Sequence, residues 1–359
     1  MKAAVCRTFG EPLIVEEVAL KEVGPTDVHV DVAACAVCHS DIHYAEGAWG
    51  GYLPAVYGHE AAGTVVEVGS EVADIAVGDH VVVTLIRSCG DCEQCDRGNL
   101  VFCGSSFPAD ESNRLTNEGD DDILAALYCG AFAEEVIVDH SQVVAVPKDL
   151  DWNVAALLAC GVITGVGAVT NTSSIEEGST VVVVGAGGVG LNAIQGAAIV
   201  GASVVIAVDL AEEKLEIAQN FGATHVATPE TARDVIREAT GKKGVSHCLV
   251  TVGSSPAIKS ALRYIEMGGE LVIVGMPAIG QEIDVDPSII AAAGHRIIGS
   301  KMGTSDIRRD IPQLITWYRE GKLKLDELIS GTFPLDDINA AIDDVSNGAT
   351  IRNVVVMDS

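Results

Sequence analysis

In the first half of the chain, apolar positions fall in short alternating runs at 29–33, 63–68 and 80–84, with turns such as Gly69-Ser70 and Gly78-Asp79 between them. Alternation with a period of two predicts half-buried strands, and helical spacing is scarce there. The pattern changes near Asn153. Continuous apolar runs at 181–184, 204–208, 247–252 and 270–274 read as strands covered on both faces. Helix-like stretches at 211–221, 231–240 and 256–267 separate them. This alternation predicts a doubly wound parallel sheet. It ends near Gly294, and a helix at 311–320 and a strand at 353–357 follow. Pattern alone assigns this tail to neither half.

A chain of 359 residues, 48% of them hydrophobic, is long enough for two cores. The start carries no apolar stretch of signal-peptide length, and no run approaches the roughly 20 apolar residues of a membrane span. A soluble, cytoplasmic protein is therefore expected. The formal charge of −29, from 22 basic and 51 acidic residues, would repel phosphate backbones and excludes nucleic acid as a partner. The acid reads as a solvated surface, compatible with a salty habitat.

The run at 181–184 leads directly into Gly185-Ala186-Gly187-Gly188-Val189-Gly190, with a helix predicted next. This is G-x-G-x-x-G in strand–turn–helix context. Gly185 permits the turn, Gly187 lets a pyrophosphate approach the backbone, and Gly190 lets helix and strand pack closely. Free N–H groups at the helix start suit phosphate. Asp209 ends the next strand, where a carboxylate would bind the adenosine ribose and repel a 2′-phosphate, favouring NAD. Asp209 can also cap the helix that follows without contradicting this.

Ten cysteines without a signal segment point to metal or catalysis rather than disulfides. Cys89, Cys92, Cys95 and Cys103 have the spacing of a closed tetrathiolate zinc site, which leaves no position for substrate and is structural. The alternatives are an iron–sulfur cluster or a coincidental loop. A dispersed set, Cys38, His59 and Cys160, would offer two sulfurs and a nitrogen, but spacing alone cannot join three residues so far apart. Cys35 makes a decoy C-x-x-C with Cys38 and reads as core, as do Cys6 and Cys248.

Over nearly its full length the chain resembles the medium-chain, zinc-dependent alcohol dehydrogenases. The resemblance rests on CHSDIH, GHEAAGTVVEVG, the four-cysteine loop, LACGVITG, VVVVGAGGVGLNAIQGA and IAVDLAEEKLEIAQNFGA. It implies an α/β chain with a GroES-like β-barrel catalytic domain at 1–155 and 296–359 and a Rossmann NAD-binding domain at 156–295. It implies two zinc ions per chain, the catalytic one on Cys38, His59 and Cys160. Asp41 would orient His59, and Glu60 would lie behind the metal. Ser40 would accept the substrate proton and pass it through the cofactor ribose to His43. His39 stands where many members have an arginine against the pyrophosphate, so cofactor release could be faster. Lys214 would contact the ribose and Arg352 the pyrophosphate, with Val274 and Met276 also beside the cofactor.

The implied reaction is reversible hydride transfer between an alcohol and NAD, with zinc lowering the hydroxyl pKa. Polyol enzymes of the family usually have glutamate at the Cys160 position, which argues against a polyol. Glutathione-dependent members carry charged pocket residues where this chain has Trp49 and, approximately, Phe107, although Arg114 is nearby. The expected pocket, Trp49, Leu85, Tyr128 and Met276, is largely apolar and fits a primary alcohol with an apolar chain or ring. Cys129 matches a position bordering that pocket. The long insert between Cys103 and Gly130 implies a homodimer, with a tetramer as the alternative. Competing readings are a thiol-adduct (formaldehyde-type) dehydrogenase and a non-catalytic zinc- and NAD-binding protein.

Overall fold

The valine-rich runs of the second half form one six-stranded sheet in the computed structural model, which describes residues 1–357 apart from 112, 118, 120, 174 and 349. Its order is His225–Ala227, Val204–Val208, Thr180–Val184, Val245–Val250, Ile265–Ile273, Arg296–Gly299, and every pairing is parallel. Numbered along the chain this is 3-2-1-4-5-6, the order of a dinucleotide-binding sheet. Helices Gly188–Ile199, Glu212–Asn220, Ala232–Ala239 and Ser255–Ala261 lie between successive strands. Parallel strands need cover on both faces, and Val182, Ile206, Cys248 and Leu271 are fully buried in the core between sheet and helices. Burial of such a side chain contributes about 1.5–3 kcal/mol.

The helix expected at 256–267 ends at Ala261. Ser254 caps its start by accepting from the Ala257 N–H. Tyr264 and Ile265 are then drawn into the core, and Ile265 opens a strand that runs to Ile273. Demand for apolar cover overrides helical spacing there.

The first half folds around the strand Asp27–Ala36, which pairs with Glu60–Val68, Glu135–Asp139 and Arg352–Val356. Register shifts between His29 and Val30, and between Val32 and Ala34, break its ladder with Glu60–Val68. Irregularities of this kind bend a sheet toward a barrel. A second sheet of short strands, from Lys2–Cys6 to Asp122–Ala125, contributes to the same core with Val5, Phe132 and Ile123. Cys6 and Cys35 are buried core residues, as expected.

Two contact units result. The first is Met1–Cys160, Asp306–Thr316 and Leu325–Ser359; the second is Gly161–Ser305 and Trp317–Lys324. The sequence expectation divided the chain at 155/156 and 295/296. The later cuts arise because Arg296–Gly299 completes the parallel sheet and because a helical stretch, Trp152–Thr172, spans the first junction. That stretch has 21 residues, with an 18-residue window of mean hydropathy 1.8, long and apolar enough to cross a membrane, which the sequence reading missed. Of that window, 89% is buried inside the protein, as in a core helix.

Candidate active site

Cys38 lies two residues beyond the core strand Asp27–Ala36 and caps the short helix His39–Ala45. Asp41, at the third position of that helix, returns a carboxylate oxygen to the Cys38 N–H at 3.1 Å. Its other oxygen accepts from Gly58 N–H and from His59 Nδ1, both at 2.9 Å. Asp41 is 1% exposed, so one buried carboxylate locks two segments together. Gly58 is glycine for a local reason: its φ is +91°, and a Cβ there would lie 2.5 Å from Phe132 N. A carboxylate only accepts, so Nδ1 carries a proton and Nε2 is the atom left for another partner. Nε2 is buried and has no hydrogen-bond partner.

Cys160 arrives from a different direction, on the π-helical turn Leu158–Val162 of the long core helix. Insertions of this type recur at functional sites because they re-aim one side chain. Donor atoms of Cys38, His59, Glu60 and Cys160 all lie within 4.8 Å of one another, and all four residues are buried. A hydrogen bond from Cys160 holds the Cys38 thiol well below its usual range against the cost of burial, with help from His59 and Arg352. Cys160 is raised in turn. Burial opposes charge on His59, yet Asp41 and Cys38 raise its pKa well above the ordinary value. Burial lifts Glu60 to about 7, against the pull of Arg352. Two cysteine sulfurs and an orphaned imidazole nitrogen form a donor set suited to zinc, with the carboxylate behind His59 fixing the ring.

Cys89, Cys92, Cys95 and Cys103 form a second cluster, also within 4.8 Å. Sulfur separations are 3.6 Å for Cys92–Cys95 and 3.9 Å for Cys92–Cys103. A tetrahedron with Zn–S near ~2.3 Å has edges of about 3.8 Å, so this loop is already shaped for four-thiolate zinc. All four cysteines are free of disulfides.

In the other unit, Thr180–Val184 turns through Gly185, φ +98°, into the helix Gly188–Ile199. A Cβ on Gly190 would sit 1.8 Å from Gly185 O, whereas one on Gly187 would meet nothing within 4 Å. The loop is thus tight against its own strand at Gly190 and open at Gly187. No side chain caps the helix start. Asp209 accepts from Ala186 N–H at 2.7 Å and Ala211 N–H at 3.0 Å, so its carboxylate is anchored across the glycine loop. Thr251, unremarked in the sequence, closes the turn by donating to Gly185 O at 3.0 Å and Val184 O at 3.1 Å.

Comparisons agree with this construction. An alcohol dehydrogenase GroES-like domain matches residues 24–148 and a zinc-binding dehydrogenase domain matches 188–320. The chain is 33% identical to S-(hydroxymethyl)glutathione dehydrogenase of Paracoccus denitrificans, covering 99% of both chains. The chain belongs to the medium-chain zinc-dependent alcohol dehydrogenases. It is also 35% identical to putative alcohol dehydrogenase D of Mycobacterium tuberculosis, again over 99% of each. Its fold is similar to crystalline benzyl alcohol dehydrogenase from Acinetobacter calcoaceticus, with TM-score 0.93, 31% identity and 99% coverage of both. As a member of this family it is an oxidoreductase acting on CH–OH groups with NAD(P).

In this alcohol dehydrogenase the remaining candidates are dispersed. Ser40 is half-buried and His39 exposed on the helix that Cys38 caps. The His43 ring lies 5.0 Å from Trp49, and its side chain is 39% exposed. Leu85 packs at the edge of the barrel core, while Tyr128 and Met276 are exposed. Cys129 is buried and accepts from Gln142 at 3.5 Å. Val274 is half-buried at the end of its strand, bonded to Val250 O, and Lys214 lies in the first turn of Glu212–Asn220. Gly188 and Val189 form the first turn of the helix after the glycine loop. Arg352 is buried and ion-paired with Glu60, which sequence reasoning did not foresee. Arg114, noted as near the pocket, instead pairs with buried Asp27 at 2.6 Å.

Proposed function

We propose that the chain oxidises primary alcohols carrying an apolar chain or an aromatic ring, reversibly, with NAD. The observation that carries this is the buried Cys38–His59–Cys160 set, with His59 Nε2 left facing the other donors. Cys38, His59 and Cys160 would hold the catalytic zinc, and the four-cysteine loop the structural one. Zinc bound there supplies a Lewis acid that lowers the pKa of an alcohol hydroxyl. Asp41 orients His59. Ser40 takes the hydroxyl proton and His43, which reaches solvent, releases it. Gly185, Gly187, Gly188, Val189 and Gly190 cradle the pyrophosphate. His39, Lys214, Val274, Met276 and Arg352 complete the cofactor contacts.

Two features favour NAD and an apolar alcohol. Asp209 keeps a negative charge beside the glycine loop, where a 2′-phosphate would be repelled. Trp49, Leu85 and Tyr128 offer carbon surfaces, as expected of a site for apolar or ring-bearing alcohols. The relative named for a hydroxymethyl-glutathione substrate keeps the thiol-adduct reading in view. With Arg114 engaged by Asp27, one basic residue that could have met a glutathione carboxylate is occupied. We also propose a homodimer. The strand Arg296–Gly299 pairs on one side only, and the neighbouring helix Pro287–Ala293 buries no residue and exposes Ile289.

The test is cofactor reduction by metal-replete protein on a panel of alcohols, with NAD or NADP, with and without glutathione. Turnover of benzyl alcohol and longer primary alcohols with NAD, independent of glutathione, is the expected result. Formaldehyde oxidation seen only with glutathione would replace the substrate assignment.

A further inference from the structure

The turn before buried Cys129 is strained. Leu127 and Tyr128 both have positive φ, 54° and 63°. For residues other than glycine this costs roughly 1–2 kcal/mol each. Buried Gln142 holds the turn from within, donating to Tyr128 O at 3.1 Å and to Thr84 O at 2.9 Å. Thr84 stands opposite Glu60 in the ladder. The turn therefore hangs from the strand His80–Thr84, which pairs with the strand that begins at Glu60.

Arg87 holds it from the other side. The guanidinium carbon lies 3.7 Å from the Tyr128 ring centre and 4.3 Å from that of Phe107. Asp110 meets its charge at 2.9 Å. The Arg87 side chain is only 9% exposed, although Tyr128 itself is 53% exposed. With rings against it and a carboxylate at its edge, the guanidinium is not presented to a substrate anion. Its place in the chain gives it another use. Arg87 precedes Cys89 by two residues, and Phe107 follows Cys103 by four. The two ends of the four-cysteine loop thus converge on Tyr128.

Resting on the alcohol reading above, we propose that Arg87 is a positioning residue. It clamps Tyr128 as an outer wall of the alcohol site, and the four-cysteine loop is the base of the clamp. The metal of that loop then shapes substrate choice as well as stability. Small alcohols do not reach the wall, whereas ring-bearing ones lean on it.

The test compares Arg87→Ala, Arg87→Lys and wild type on ethanol and benzyl alcohol, with zinc content and hydrogen exchange over 126–130 measured on each. In Arg87→Ala, KM for benzyl alcohol rises about tenfold, while ethanol KM and both kcat values stay within about twofold. Zinc content is unchanged and exchange at 126–130 speeds up. Arg87→Lys, which keeps a cation over the rings, recovers part of the benzyl alcohol KM. Equal loss on both alcohols, or no change in discrimination, overturns the clamp while leaving the alcohol reading intact. A wild type inert toward every alcohol sinks that reading, and this inference with it.

Discussion

Replacing Asp41 with Asn keeps the shape of the side chain and removes its charge. The structure fixes what is lost. One oxygen serves Gly58 N–H and His59 Nδ1, and the other serves Cys38 N–H. An asparagine that keeps its oxygen toward His59 must turn its NH₂ onto the Cys38 N–H, donor against donor. A buried donor left unmet costs about 1–3 kcal/mol. The His59 bond also falls from the charge-assisted range, about 1.5–3 kcal/mol, to the neutral one of about 0.5–1.5. The sum is roughly 2–4 kcal/mol, divided between folding and the orientation of Cys38 and His59. Zinc affinity at this cluster is expected to fall about 10–100-fold, as for other lost partners of a ligating histidine. The assay is chelator competition followed by metal counting, with the four-cysteine site as an internal control. Affinity within about twofold of wild type, with an unchanged Tm, would refute the role assigned to Asp41.

Other substitutions probe separate links. Asp209→Ser removes the carboxylate anchored across the glycine loop. Its KM for NAD should rise about tenfold or more while NADP becomes a usable cofactor; steady-state kinetics with both reads this. Gly190→Ala places a methyl against Gly185 O. It should abolish calorimetric NAD binding and lower Tm by several degrees, because backbone must move and overpacking costs about 1–3 kcal/mol. Burial lowers the pKa of His247 below its ordinary 6.5, despite Glu270 nearby. The unfolded chain then binds the extra proton first, so this contribution is present above about pH 6.5 and declines as pH falls below it. Urea midpoints at about pH 7.5 and 5.5 should differ less in His247→Gln than in wild type.

Much of this was legible from residue order because the constraints are local. The glycine turn, its strand and Asp209 lie within one βαβ unit, and the four cysteines within one loop. Period-two alternation at 29–33 and 63–68 located parts of the strands Asp27–Ala36 and Glu60–Val68 for the same reason. The cluster of Cys38, His59 and Cys160 was different. Its members come from a helix start, a glycine-gated strand and a π-helical turn, and only family resemblance linked them before the fold did. Pairings between distant segments carried no signal of their own. Arg352 with Glu60, Arg114 with Asp27, and Arg87 between Phe107 and Tyr128 are all such cases. The helix at 152–172 escaped notice because its apolar residues surround it on all sides and so show no period.

The central claim is that Cys38, His59 and Cys160 hold a zinc on which alcohol oxidation depends. The most direct test is the initial rate of NAD reduction by benzyl alcohol in wild type and in Cys160→Ala, with zinc counted in both. The account predicts two zinc ions and turnover in wild type. In the variant it predicts one zinc, retained by the four-cysteine loop, and a rate lower by about three orders of magnitude or more, the several kcal/mol a Lewis acid contributes. A variant that turns over at the wild-type rate, or a two-zinc wild type inert toward every alcohol, would contradict it.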